Sequence, residues 1–174
     1  MTGRPDRARK RQTSAGIVLF RRAPHGLDVF LVHPGGPFWR NKDDGAWSIP
    51  KGLYDESEPP LAAAKREFLE ETGVAVDGEF VDLGTFKQPG GKIVAAFALE
   101  GDFDVAALKS NTFTIEWPPK SGRMTAFPEI DRAAWFAPDE ALRKILKGQA
   151  PIVRALVAKF GGEQSRATPT PSPP

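Results

Sequence analysis

Glu67, Glu70 and Glu71 lie close together in the chain, just ahead of Gly73. On a helix, about 100° per residue places Glu70 near −60° and Glu71 near +40° relative to Glu67, so the three carboxylates share one face. Acids at these spacings repel by a few tenths of a kcal/mol per pair. Near a helix C-terminus they also oppose the backbone dipole. Arg66 can offset one of them, by pairing with Glu70 or by holding Glu67. One guanidinium does not balance three carboxylates. The arrangement calls for a cation, and hard oxygen donors in this number suit Mg²⁺ or Mn²⁺. A divalent ion held there could polarise a substrate oxygen and make its bound water more acidic.

The element that must carry these acids is well marked. Pro59-Pro60 suits a helix start, and Gly73 suits a left-handed stop. A helix from about Pro60 to Thr72 is predicted. Leu61, Ala64 and Phe68 cluster on one side, Ala62 and Leu69 fall almost opposite the acids, and the helix is expected to be largely covered by protein. Before it, Ser14–Arg21 and Leu27–His33 read as buried strands, and Trp47 to Gly52 feeds the helix region. Between them, Pro34 to Trp39 is an irregular loop, and His33 is expected to be a structural strand-end histidine. After the helix, Phe80–Lys87 and Ile93–Leu99 read as a hairpin around Pro89-Gly90-Gly91. Asp102 to Lys109 is weakly helical or loop, Thr112–Trp117 a strand, and Pro118–Glu129 a long loop. Helices follow from Pro138 to about Lys147 and from Pro151 to about Phe160.

Gly52, Glu58, Arg66-Glu67-Phe68-Leu69-Glu70-Glu71-Thr72-Gly73-Val74 and their spacing resemble the Nudix box, Gly-x5-Glu-x7-Arg-Glu-U-x-Glu-Glu-x-Gly-U, where U is bulky and apolar. Every fixed position is matched. The resemblance implies an α/β (α+β) Nudix fold: a mixed β-sheet sandwiched between helices, with the box as a loop-helix-loop. It implies a metal site of Glu67, Glu70 and Glu71 with the backbone carbonyl near Gly52. It also implies a further glutamate from outside the box, and Glu129 stands at the expected interval before Trp135. The activity implied is hydrolysis of a diphosphate linked to a nucleoside, with Arg66 orienting Glu67 and either Glu70 or Glu129 as general base.

Substrate contacts are sought among nearby cations and aromatics. Lys51, Lys120 and Arg123 are candidates for the phosphate tail. Phe38 and Trp39 either stack on a base or pack their loop. Pro89 stands near the position at which ADP-ribose pyrophosphatases of the family carry a proline. The approach Trp47-Ser48-Ile49-Pro50-Lys51-Gly52 is similar to polyphosphate-type members, so a nucleoside triphosphate or dinucleoside polyphosphate is the expected substrate. The rival is a catalytically silent Nudix domain that binds a nucleotide or RNA as a sensor. The isomerases that share the fold rely on a cysteine, and this chain has none.

Composition narrows the class further. The 174 residues suffice for one well-cored domain, and a net charge of +2 gives no global drive toward nucleic acid or membrane. The absence of cysteine excludes disulfides and thiol chemistry. No apolar run is long enough to span a bilayer, and the first residues lack an apolar signal core, so a cytoplasmic protein is expected. Residues 1–12 read as a basic disordered arm (Arg4, Arg7, Arg9, Lys10, Arg11), 13–160 as the Nudix domain, and 161–174 as a disordered Pro/Ser/Thr tail.

Overall fold

The computed structural model describes residues 11–162. The basic arm and the Pro/Ser/Thr tail fall outside the described residues except for 11, 12, 161 and 162. The fold is built on β1 (Thr13–Ala23) and β2 (Gly26–Pro34), followed by the short β3 (Lys51–Leu53), α1 (Pro60–Thr72), β4 (Phe80–Lys87) and β5 (Ile93–Glu100). Then come β6 (Thr112–Glu116), β7 (Met124–Pro128), β8 (Ile130–Phe136), α2 (Pro138–Lys144) and α3 (Ala150–Phe160).

The main sheet runs β4-β5-β1-β2-β8, with β3 also paired to β1. β1 and β5 are parallel, and the other pairs are antiparallel, so the sheet is mixed. β1 divides one edge between two partners. Its first residues, Ser14 to Gly16, pair with β3, and its last, Phe20 to Ala23, pair with β2. That division brings the Gly52 backbone to the centre of the sheet.

Alternation along β1 sends side chains to two cores. Ala15, Ile17 and Leu19 face α1 together with Phe30, Phe68 and Phe103. Val18 and Phe20 face α2 and α3 together with Leu31, Ile145, Ile152 and Leu156. The chain is therefore three layers: α1, sheet, and the α2–α3 pair.

Helix α1 follows its sequence signals, with prolines at its start and Gly73 left-handed at φ 79°. Its covering is narrower than expected. Ala63, Ala64, Phe68 and Thr72 are buried, but Leu69 is 45% exposed. Phe68 anchors the helix, with its ring 6.0 Å from Phe30 and 6.2 Å from Phe103.

Three expectations need correction. The loop from Pro118 to Glu129 contains a strand, because β7 pairs with β6 from Thr112↔Pro128 to Glu116↔Met124 as a separate two-stranded sheet. The helix from Pro138 stops at Lys144, since Ile145 turns extended and bridges to Trp47. Of the run from Trp47 to Gly52, only Lys51 and Gly52 join a strand, while Trp47 and Ser48 make isolated bridges. Among the described residues no helix is long and apolar enough to cross a membrane.

Phe68→Ala should cost about 3–5 kcal/mol, because the cavity lies between a helix and a sheet that cannot both collapse. Denaturant unfolding checks this: a loss under 1 kcal/mol would mean that Phe68 does not hold α1 to the sheet.

Candidate functional site

At position 52 glycine leaves room for a close approach by Glu67. A Cβ on Gly52 would overlap the Glu67 carboxylate, so the strand backbone and the helix acid are in direct contact. Gly52 pairs with Ala15 of β1, which fixes that contact to the most buried strand of the sheet.

Arg66 holds the acids in place. Its Nε and Nη2 donate to the two Glu58 oxygens at 2.9 Å each. Nη1 donates to Glu67 Oε1 at 2.6 Å and reaches Glu70 at 3.4 Å. Nη2 also donates to the Leu53 carbonyl at 3.2 Å. Hydrogen bonding to Arg66 holds the Glu58 carboxyl below the usual carboxylate range. The bonds from Glu58 and Glu67 raise the arginine's pKa further. Glu58 was not singled out for a site role from the sequence. Its signal was its fixed place in the box, and its geometry is that of an anchor for Arg66.

Glu71 is the most buried acid of the group. Its Oε2 accepts the Lys51 backbone N–H at 3.2 Å. Burial pushes its pKa up to about 8, repulsion from Glu67 and Glu129 adds to the rise, and Lys51 opposes it. Burial lowers the Lys51 ammonium, and Lys92 lowers it further while Glu71 and Glu67 act against them. Lys92 is a second cation beside Lys51 that the sequence did not reveal.

Glu129 belongs to the same electrostatic group. Burial raises its carboxyl first, then the charges of Glu67 and Glu70. A strap of backbone hydrogen bonds ties it to α1. Asn111 N–H donates to the Glu70 carbonyl at 2.9 Å, and Glu129 N–H donates to the Asn111 carbonyl at 2.8 Å. Gly35 N–H closes the run on the Glu129 carbonyl at 2.8 Å. Ser110 Oγ accepts the Ile130 N–H at 2.9 Å. Sequence reading saw none of this, because the partners are distant in the chain.

The remaining candidates lie elsewhere. Lys120 and Arg123 sit in the β6–β7 turn, at the other end of a ladder that rises about 14 Å from Pro128 to Met124. Phe38 is 64% exposed and meets Trp117 edge-on at 5.5 Å. Trp39 packs against the α2–α3 core, with Lys42 at 4.8 Å over its ring. His33 is fully buried, with Nδ1 2.8 Å from Asp131 and Nε2 2.7 Å from the Lys42 carbonyl. Those contacts tie the 35–46 loop to β8, which is a structural task.

The donor set suits a hard divalent cation in kind. Four carboxylates, Glu67, Glu70, Glu71 and Glu129, interact by repulsion around one arginine and one buried lysine. Among the described residues no three acidic or histidine side chains already stand together at ligating positions. Arg66 engages both Glu67 and Glu70.

The sequence profile of the NUDIX domain matches residues 10–156. The chain belongs to the Nudix family. The RNA pyrophosphohydrolase of Helicobacter pylori (strain P12) is 38% identical to this Nudix domain over 63 residues, 36% of this chain and 37% of that protein. The 8-oxo-(d)GTP phosphatase of Mycolicibacterium smegmatis is 28% identical over 159 residues, 84% of this chain and 40% of that protein. The chain thus spans well under half the length of either relative. Among solved structures, the NUDIX domain of Shewanella oneidensis NrtR complexed with ADP ribose superposes at a TM-score of 0.61 and 17% identity, over 91% of this chain and 94% of that one. A C. elegans Ap4A hydrolase superposes at 0.58 and 19% identity, over 86% of this chain and 98% of that one. At these identities the likeness to solved structures is one of fold.

The Glu71 shift has a consequence for stability. Between the ordinary carboxylate value of 4.5 and about 8, the folded Nudix domain holds a proton on Glu71 that the unfolded chain has released. Stability of the metal-free protein therefore falls as pH rises through that window, by on the order of 1–3 kcal/mol. Glu71→Gln should flatten the fall. Melting temperatures in chelator from pH 5 to 8 check this, and an unchanged slope in the variant would place the titration elsewhere.

Proposed function

We propose that this Nudix domain is a metal-dependent hydrolase that cleaves a diphosphate linkage in a nucleoside triphosphate or dinucleoside polyphosphate by water attack on phosphorus. The observation that carries the reading is the carboxylate group itself. Buried acids that repel one another are costly to keep, and here they gather where Gly52 has given up a side chain to let them approach.

In this reading Glu67, Glu70, Glu71 and Glu129, with the Gly52 backbone carbonyl, hold Mg²⁺ or Mn²⁺. The ion supplies charge neutralisation and a more acidic bound water. Arg66 positions Glu67, and Glu58 positions Arg66. Lys51 lies near enough to Glu71 and Glu67 for their charges to act on it, and it is the candidate to meet a phosphate oxygen. Of the two candidate bases, Glu129 fits better. Burial and neighbouring acids raise its proton affinity, and a base works best when its pKa approaches the working pH. Glu70 instead shares Arg66.

Relatives named as RNA pyrophosphohydrolases keep a 5′-polyphosphate RNA end within the substrate class, which net charge alone disfavours. The bond broken is of the same kind. A sensor that binds without turnover is the opposing reading, and the full set of box acids speaks against it.

Product analysis with Mg²⁺ across nucleoside triphosphates, oxidised nucleotides, dinucleoside polyphosphates, ADP-ribose and 5′-triphosphorylated RNA tests the reading. Glu70→Gln should abolish turnover while leaving the metal-free melting temperature unchanged or higher, since the change relieves repulsion. Glu129→Gln should lower kcat by roughly 10²–10⁴ with little change in KM. A folded protein silent on every substrate would favour the sensor, and full activity in Glu70→Gln would remove Glu70 from the site.

A further inference from the structure

We propose that the face of the β6–β7 hairpin that meets the 35–42 loop is a platform for single-stranded RNA, taking the nucleotides that follow a 5′-polyphosphate. This rests on the hydrolase reading above and names its substrate class. Bases stack on Phe38 and Trp117, and the linking phosphates meet Lys120 and Arg123.

Four observations converge on this face. Phe38 is among the most exposed large apolar residues described, at 64%. A lone exposed phenylalanine is unremarkable on a protein surface, but this one meets a second, half-buried aromatic, Trp117, edge-on at 5.5 Å. One step beyond the last ladder pair, Trp117 N–H donates to the Arg123 carbonyl at 2.8 Å. Residues opposite one another across a hairpin share a face, so Arg123 stands beside the aromatic pair. Met124, opposite Glu116, belongs to the other face.

The charges are free to act. Among the described residues no carboxylate pairs with the Lys120 or Arg123 side chain. Glu116, the acid of this hairpin, accepts the Gly122 N–H at 3.0 Å. Lys120 is held at φ 62°, an uncommon conformation for a residue with a side chain. Aromatic faces interleaved with unpaired cations are what a flexible polyanion with bases recognises.

The placement argues for a chain rather than a single nucleotide. The Phe38 loop begins at Gly35, whose N–H bonds the Glu129 carbonyl, and Gly36 packs against the Phe113 ring. The loop that carries Phe38 therefore starts at the Glu129 backbone. The platform's far end lies about 14 Å up the ladder. A mononucleotide held by its diphosphate at Glu67 and Glu129 does not cover that length. A strand with about 3.4 Å per stacked nucleotide covers it with about four.

Fluorescence anisotropy with a labelled 5′-hydroxyl RNA octamer tests the platform without any cleavage, so a protein that hydrolyses nothing can still pass or fail. Wild type should bind, and binding should weaken with salt. Phe38→Ala should weaken it about tenfold, and Phe38→Trp should restore it. Lys120→Ala with Arg123→Ala should flatten the slope of log affinity against log salt by about 0.7 per cation removed. With a 5′-triphosphorylated octamer, the ratio of its kcat/KM to that of the matching nucleoside triphosphate should fall by a similar factor in Phe38→Ala. No octamer binding by wild type, or equal binding by both variants, overturns the platform. A loss confined to dinucleoside polyphosphates overturns RNA in favour of a second nucleoside. Concentration-dependent self-association without RNA that disappears in Phe38→Ala overturns it in favour of a protein contact.

Discussion

The contact between the Glu67 carboxylate and the Gly52 backbone is the constraint on which the site depends. The Glu67 carboxylate stands where a side chain on residue 52 would begin, so one or the other must give way. Such an approach needs one partner that cannot shift and another that is held down. β3 cannot shift because it is paired to the fully buried start of β1. Helix α1 is held from below by Phe68 and from above by Arg66, which bonds Glu58, Glu67 and the Leu53 carbonyl together. The arginine thus ties the loop that precedes the helix to the helix itself. Its substitution would loosen the geometry of the acids as well as their charge balance.

What sequence could reveal followed the range of the interactions. Helix α1 was legible because its signals are local: prolines at the start, glycine at the stop, acids at helical spacing. The core strands were legible because their apolar runs are long. β7 was not, since Met124 to Pro128 is short, ends in proline and follows a turn rich in proline and glycine. The end of α2 was missed because Ile145 leaves the helix for a tertiary bridge to Trp47, which no local pattern encodes. Among candidate site residues, the box glutamates could be named from their helical spacing together with the match to the box pattern. Lys92 and the Asn111 strap could not, because each reaches the site from a distant part of the chain.

That strap changes how Glu129 is regarded. A glutamate on a loop would be free to wander, and its separation from the helix acids would be ill defined. Here its N–H and carbonyl are both engaged, the first by Asn111 and the second by Gly35. Asn111 in turn rests on the Glu70 carbonyl. The backbone of Glu129 is thereby registered to the last turn of α1, where carbonyls lack helical partners and need outside donors. A need common to every helix end has been met by the segment that also places the outlying acid.

The same economy explains why the protein tolerates so strained an electrostatic group. Glu71 and Lys51 are each pushed toward neutrality by burial, although each is the other's counter-charge. A pair left in that state contributes little to folding. The stability comes from the apolar cores, including the one on the opposite side of the sheet, where Phe20, Leu31, Ile145, Ile152 and Leu156 pack together. A three-layer fold can therefore keep one end of its α1 face poorly solvated and poorly paired, because the second core holds the sheet in place beneath it. An ion that completes the acid group would then add to stability as it binds, and the folded state would be tightest when the site is ready for substrate.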